Sequence, residues 1–163
     1  FSVNQPINNR EGNIDGMEFA WQHFFGDTGF GFQANYTLVN GDVELDPAAS
    51  IDENQFALVG LSDTANLTAI YEKYGFSARL AYNWRDTFLL ATNQGGDRSG
   101  TYVEDYGQYD LNVSYDINEQ LAVSFEGINL TGEDQRIYHR VPEQVFYVYE
   151  LSPRYLLGLR YKF

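Results

Sequence analysis

The chain contains no cysteine. That excludes a disulfide scaffold, a thiolate metal centre and a cysteine nucleophile. No stretch approaches the roughly 18 consecutive apolar residues of a membrane-spanning helix, which excludes a helical membrane protein. Basic residues are scarce: 10 Lys and Arg stand against 23 Asp and Glu, for a formal net charge of -13. Phosphate binding needs a basic stripe, so nucleic acid is excluded as a partner. The opening stretch Phe1-Ser2-Val3-Asn4-Gln5 has neither a Met start nor a signal-peptide pattern, and is expected to be a processed or truncated start.

Aromatic residues are abundant. Thirteen Tyr, 12 Phe and 2 Trp make up 17% of the chain, although its mean hydropathy is only -0.40. Tyr and Trp favour surfaces that are apolar on one side and wet on the other, such as membrane interfaces. The periodicity of the apolar residues is two, which is that of a strand. Tyr155, Leu157, Leu159, Tyr161 and Phe163 share one face, and Leu156, Gly158, Arg160 and Lys162 the other. The same alternation runs through Leu121–Phe125, Tyr109–Ile117, Phe76–Trp84, Ala65–Tyr71, Phe30–Leu38 and Met17–Trp21. Seven strands are predicted. Their charges, among them Glu18, Arg79, Arg85, Asp110, Asp116, Glu126 and Arg160, all fall opposite the apolar stripe.

Connections alternate between short and long. Gly26-Asp27-Thr28-Gly29, Lys73-Tyr74-Gly75 and Asn118-Glu119 suit tight hairpins. Long connections run from about 40 to 60, 89 to 106 and 131 to 145. Transmembrane β-barrels segregate loop lengths in this way, with short turns in the periplasm and longer loops outside the cell. Strands with five apolar residues on one face span roughly 20 Å when tilted, the height of the lipid-facing band. Aromatics should form two girdles. The short-turn girdle includes Phe25, Phe30, Phe32, Tyr71, Phe76, Tyr115, Tyr161 and Phe163, with His23. The long-loop girdle comprises Trp21, Tyr36, Tyr82, Trp84, Tyr109 and Tyr155. The predicted class is all-β, an antiparallel transmembrane β-barrel, with membrane lipids and lipopolysaccharide around it.

The chain stops on Phe163, with apolar residues two, four, six and eight positions earlier. Tyr155, Leu157, Leu159, Tyr161 and Phe163 resemble the C-terminal signature read by the barrel-assembly machinery of Gram-negative outer membranes. Other stretches are more specific: Gly16-Met17-Glu18-Phe19-Ala20, Gly29-Phe30-Gly31-Phe32-Gln33-Ala34-Asn35-Tyr36, and Tyr71-Glu72-Lys73-Tyr74-Gly75-Phe76. Tyr82-Asn83-Trp84-Arg85, Gly127-Ile128-Asn129-Leu130-Thr131 and Arg154-Tyr155-Leu156-Leu157-Gly158 complete the set. Together they resemble the C-terminal third of TonB-dependent receptors. Within that family they look most like the branch common in xanthomonads and caulobacters, often associated with carbohydrate uptake. The resemblance implies a 22-stranded barrel of which these are the last seven strands, filled by an N-terminal plug. It also implies a location in the cell outer membrane, a small-molecule substrate, and energy from the TonB complex acting through an N-terminal box. This sequence holds neither plug nor box, so residues 1–163 are read as the C-terminal segment of the barrel.

Candidate chemistry lies in the long connections. Tyr102, Tyr106, Tyr138, Tyr147 and Tyr149, with Asp97 and Arg136, are the expected substrate-binding residues, because aromatic faces beside polar groups suit sugar rings. Asp42, Glu44, Asp46 and Glu53 follow the spacing of a calcium loop, but Pro47 stands where that loop needs Gly, and no metal site is expected. His139 is expected as an exposed loop residue. The Asn-x-Ser/Thr triplets at Asn35, Asn66, Asn112 and Asn129 are accounted for by polar alternation or strand ends. No cofactor and no enzymatic activity is expected. Asp42, Glu44, Asp46, Asp52 and Glu53 come with no base between them. Their field disfavours an anionic chelate, so an oligosaccharide is expected over a ferric siderophore. The competing readings are a passive porin and a small structural barrel. The last would need residues 3–9 as an eighth strand, and Pro6 suits that poorly.

Overall fold

Alternation at period two makes each strand amphipathic, and pairing such strands in register sorts the side chains onto two faces. The computed structural model describes residues 10–50, 55–94 and 99–163, and these residues form eleven strands. They are β1 (Ile14–Phe24), β2 (Phe30–Gly41), β3 (Thr64–Lys73), β4 (Phe76–Arg85), β5 (Phe88–Gln94) and β6 (Ser99–Val103). Then come β7 (Tyr106–Asp116), β8 (Leu121–Ile128), β9 (Gln135–His139), β10 (Val145–Tyr149) and β11 (Arg154–Tyr161). Segment 3–9 lies outside the described residues.

The seven predicted strands are β1, β2, β3, β4, β7, β8 and β11. They form one antiparallel meander in that order. All seven run 8–12 residues, close to the length of a tilted membrane strand. The sheet is open, and among the described residues β1 and β11 each pair on one side only.

Register shows how cleanly the faces separate. On one face Phe19 sits opposite Tyr36, Leu67 opposite Tyr82, Leu80 opposite Leu111, Val113 opposite Phe125, and Phe125 opposite Leu157. On the other, Gln22 faces Gln33, Asn66 faces Asn83, Arg79 faces Asn112, and Asn112 faces Glu126. The apolar face is bare: Met17 is 65% exposed, Trp21 66% and Leu157 87%. A water-facing surface rarely carries so wide an apolar area, whereas a lipid-facing one requires it.

The short turns have the expected chemistry. Tyr74 (φ 55) and Gly75 (φ 77) both take positive φ, as a two-residue hairpin turn demands. Asn118 closes the next one, its Oδ1 accepting the amides of Gln120 and Leu121 at 2.9 Å each. The aromatic girdles are present, with one correction. Trp21 was expected beside the long connections, yet it lies three residues from the short-turn end of β1. It packs edge-on against Phe32, with ring centroids 5.2 Å apart, next to Phe25 and His23. Strand β1 runs toward its short turn, so later residues lie nearer that end. Tyr82 and Tyr109, with centroids 4.5 Å apart, do sit at the long-connection end.

The long connections differ most from expectation. The second and third are not loops: they contain β5, β6, β9 and β10, which form a second sheet in the order β10-β9-β6-β5. The polar, Gly-rich surroundings of these short strands mask a weak alternation, and the β6–β9 pairing joins segments more than 30 residues apart. The second sheet carries much of the buried core: Leu89, Val103, Ile137 and Tyr138 are buried and Thr101 fully so.

Candidate functional site

The three long connections leave the same end of the meander and fold onto one another. Gly60 N–H donates to Leu89 O at 2.8 Å, tying the first connection to the second. Arg140 Nε donates to Pro47 O at 2.6 Å and Nη2 to Ala49 O at 3.2 Å, tying the third to the first. Asp42 fastens the base of the first connection. Its carboxylate accepts the Asn13 amide N–H at 2.7 Å and side-chain NH₂ at 2.6 Å. These bonds, backbone first, hold its pKa below the usual carboxylate value.

The β6–β9 ladder places Tyr102 directly opposite Tyr138 and Thr101 opposite His139. Opposed residues share a face. Thr101 Oγ1 and His139 Nδ1 therefore meet at 3.1 Å on one side, while the two phenol rings stack on the other, 5.3 Å apart and inclined by 13°. His139 also packs on Phe146 at 4.2 Å. It is thus a half-buried strand residue, which corrects the expectation of an exposed loop position.

The phenol pair borders a cleft of about 330 Å³ between the connections. Its apolar walls include Val43, Leu58, Leu61, Phe88 and Leu89. Asn40, Glu44 and Thr87 supply polar groups beside Tyr102 and Tyr138. Burial, then the nearby Glu44 carboxylate, pushes the Tyr102 phenol above its ordinary value. Burial does the same to Tyr138, followed by Tyr102 and Glu104. Both phenols are therefore neutral donors at physiological pH. An apolar recess with a few convergent polar groups is the usual form of a small-molecule site.

The other predicted site residues lie elsewhere. Tyr106 begins β7 on the polar face of the large sheet. It heads a chain in which its Oη donates to Gln108 Oε1 at 2.8 Å and Gln108 Nε2 donates to Asp110 Oδ1 at 2.6 Å. Tyr147 and Tyr149 stack on β10, 6.2 Å apart and both half exposed, away from the cleft. Arg136 is engaged structurally, contacting both Glu104 oxygens at 3.1 and 3.3 Å and donating to Pro142 O at 2.9 Å. Asp97, like Glu53, lies outside the described residues. Tyr155, Leu157, Leu159 and Tyr161 line the apolar face of β11, and Phe163 packs edge-on against Tyr161 at 5.2 Å.

Sequence reasoning missed two features. Glu44 and Asn40 belong to the cleft, but only the folding of the first connection against β6 and β9 reveals this. Asn129 does more than end a strand. It adopts φ 54 and is 4% exposed. Its Nδ2 donates to Glu133 O at 3.0 Å and Leu151 O at 2.6 Å, and its Oδ1 accepts Glu133 N–H at 2.9 Å. Its own N–H donates to Asp110 Oδ1 at 2.9 Å. Asn129 thereby pins both ends of the third connection to the large sheet. Among the described residues, no three His, Asp or Glu side chains come together as metal ligands.

Residues 1–130 match a family model described as TonB dependent receptor-like, beta-barrel. The β8–β11 register continues the same sheet beyond the matched segment. No curated protein and no solved structure matches the chain.

Proposed function

From a chain that belongs to the TonB-dependent receptor β-barrel family, we propose part of an outer-membrane receptor that takes up an oligosaccharide with energy from the TonB complex. The apolar face meets lipid, the polar face lines the barrel interior, and the folded connections stand outside the cell. Closure against lipid requires that the edges of β1 and β11, unpaired among the described residues, pair with further strands. Coupling to the TonB complex is assigned to an N-terminal region outside this sequence.

The cleft is the observation that carries the substrate reading. Sugar rings present C–H patches that lie against aromatic faces and hydroxyls that bond carboxylates and amides. Tyr102, Glu44 and Asn40 offer that combination. Arg136 and Arg140 are already engaged by Glu104, Pro142, Pro47 and Ala49, and Arg85, stacked 3.7 Å from the ring of the wall residue Phe88, donates to Gly60 O at 2.8 Å. An anionic chelate would meet Glu44 with no cation among the residues that line the cleft.

The test uses purified full-length receptor for calorimetry and whole cells for uptake. An oligosaccharide should bind, and its uptake should stop when the energy-coupling complex is deleted. Tight binding of a ferric chelate with no sugar binding would overturn the substrate reading and leave the receptor class standing. Uptake that survives deletion of the coupling complex would favour a passive porin.

A further inference from the structure

We propose that the cleft between the three connections takes a sugar ring bearing a protonated amine, with Glu44 as counter-ion and the Tyr102–Tyr138 pair as aromatic wall. This rests on the oligosaccharide reading and narrows it.

Glu44 is the one charged side chain among those lining the cleft. Neighbouring carboxylates have partners. Asp42 is held by Asn13, Asp46 accepts the Ala48 amide at 2.8 Å, and Glu104 pairs with Arg136. Glu44 pairs with no cation among the described residues. It acts on Tyr102 across the cleft, so carboxylate and ring border the same space. The walls beside it are aliphatic or aromatic. Glu44 is exposed, and an exposed carboxylate is still drawn more to an ammonium than to hydroxyls, because the pair cancels charge. An ammonium near a phenol face gains a cation–π contact as well. Asp42 and Asp46, on the same connection, add to the negative field that draws a cation in.

The Tyr102 and Tyr138 hydroxyls, both neutral, remain to bond ring hydroxyls. A uronate ring would place its carboxylate against Glu44 and is disfavoured. Substituting an ammonium for a hydroxyl in this half-exposed setting should tighten binding about tenfold at low salt, combining one ion pair with one cation–π contact. The gain should shrink as salt screens the pair.

The experiment is calorimetric titration of the full-length receptor with the fully deacetylated glucosamine trimer and with cellotriose, its neutral counterpart. The native receptor should prefer the amine-bearing trimer about tenfold, the combined effect of one ion pair and one cation–π contact. Glu44→Gln should bring the two affinities together, because the amine-bearing trimer loses about tenfold more than cellotriose does. Glu143→Gln, in the exposed turn between β9 and β10, should keep the preference. Heat-modifiable gel mobility establishes that each variant is folded. Equal binding of both trimers by the native receptor, or a preference that survives Glu44→Gln, would overturn this assignment and leave the oligosaccharide reading intact. Binding of a ferric chelate with neither trimer bound would overturn both.

Discussion

Two residues carry unusual burdens. Asn129 satisfies three backbone groups with one buried amide while holding a left-handed backbone that Asn tolerates better than most residues. Asn129→Ala leaves the Glu133 N–H, the Glu133 carbonyl and the Leu151 carbonyl without this partner, and strains the backbone. The expected loss is on the order of 3 kcal/mol, read as a lower urea midpoint for the folded, heat-modifiable form. Asn129→Asp retains the acceptor but sets a second carboxylate oxygen against the Glu133 and Leu151 carbonyls, and should cost at least as much as Asn129→Ala. Tyr102 is the second. Its folded pKa lies above the ordinary tyrosine value of 10.0. A raised folded value means the stabilisation is complete below about pH 10 and is lost as pH rises through the folded pKa. In an alkaline ultraviolet titration, Tyr102→Phe should therefore remove absorbance change from the late part of the curve. Loss from the early part would show a solvated phenol.

At the scale of elements, the meander was legible in the sequence because each of its strands repeats one instruction. Period-two alternation, from Tyr155 to Tyr161 for example, sets the face of every side chain, and Gly75 or Asn118 sets the turn. Parity makes a sharp test. Leu157 lies on the apolar face opposite Phe125, and Leu156 on the polar face opposite Glu126. Leu157→Arg should cost about 2–4 kcal/mol near mid-membrane. Leu156→Arg should cost little, since it meets Glu126. Equal losses in refolding titrations would show that the faces are not lipid and lumen. The four strands of the connections were not legible. The pairing of β6 with β9 depends on contacts across more than 30 residues, and the local patterns of Ser99–Val103 and Gln135–His139 are too short to stand alone. For the same reason Tyr102 and Tyr138 could be chosen as aromatic candidates but not recognised as partners. Glu44 looked like one acid among five, and Arg136 looked available when Glu104 already holds it.

The whole molecule divides into a spanning wall and a folded cap. The wall is an open sheet whose apolar side is laid bare from Met17 to Leu157, and whose polar side is laced by pairs such as Arg79–Glu72 at 2.8 Å. Exposed pairs of this kind add little stability, but they keep charge off the apolar side. The cap is built by all three connections at one end of the wall, and it alone holds the cleft. Function in this account requires the cap to face outward, because a substrate arriving from outside must meet the cleft first. Residues 1–163 contain no cysteine, so once any cysteine elsewhere in the receptor is replaced, a single introduced thiol reports its own position. The decisive measurement is labelling of intact cells by an impermeant thiol reagent, with Glu143→Cys in the cap and Asn118→Cys in a short turn, each in the full-length receptor. The account predicts that Glu143→Cys reacts on intact cells and that Asn118→Cys reacts only after the outer membrane is breached. Labelling of Asn118→Cys but not Glu143→Cys on intact cells would contradict it.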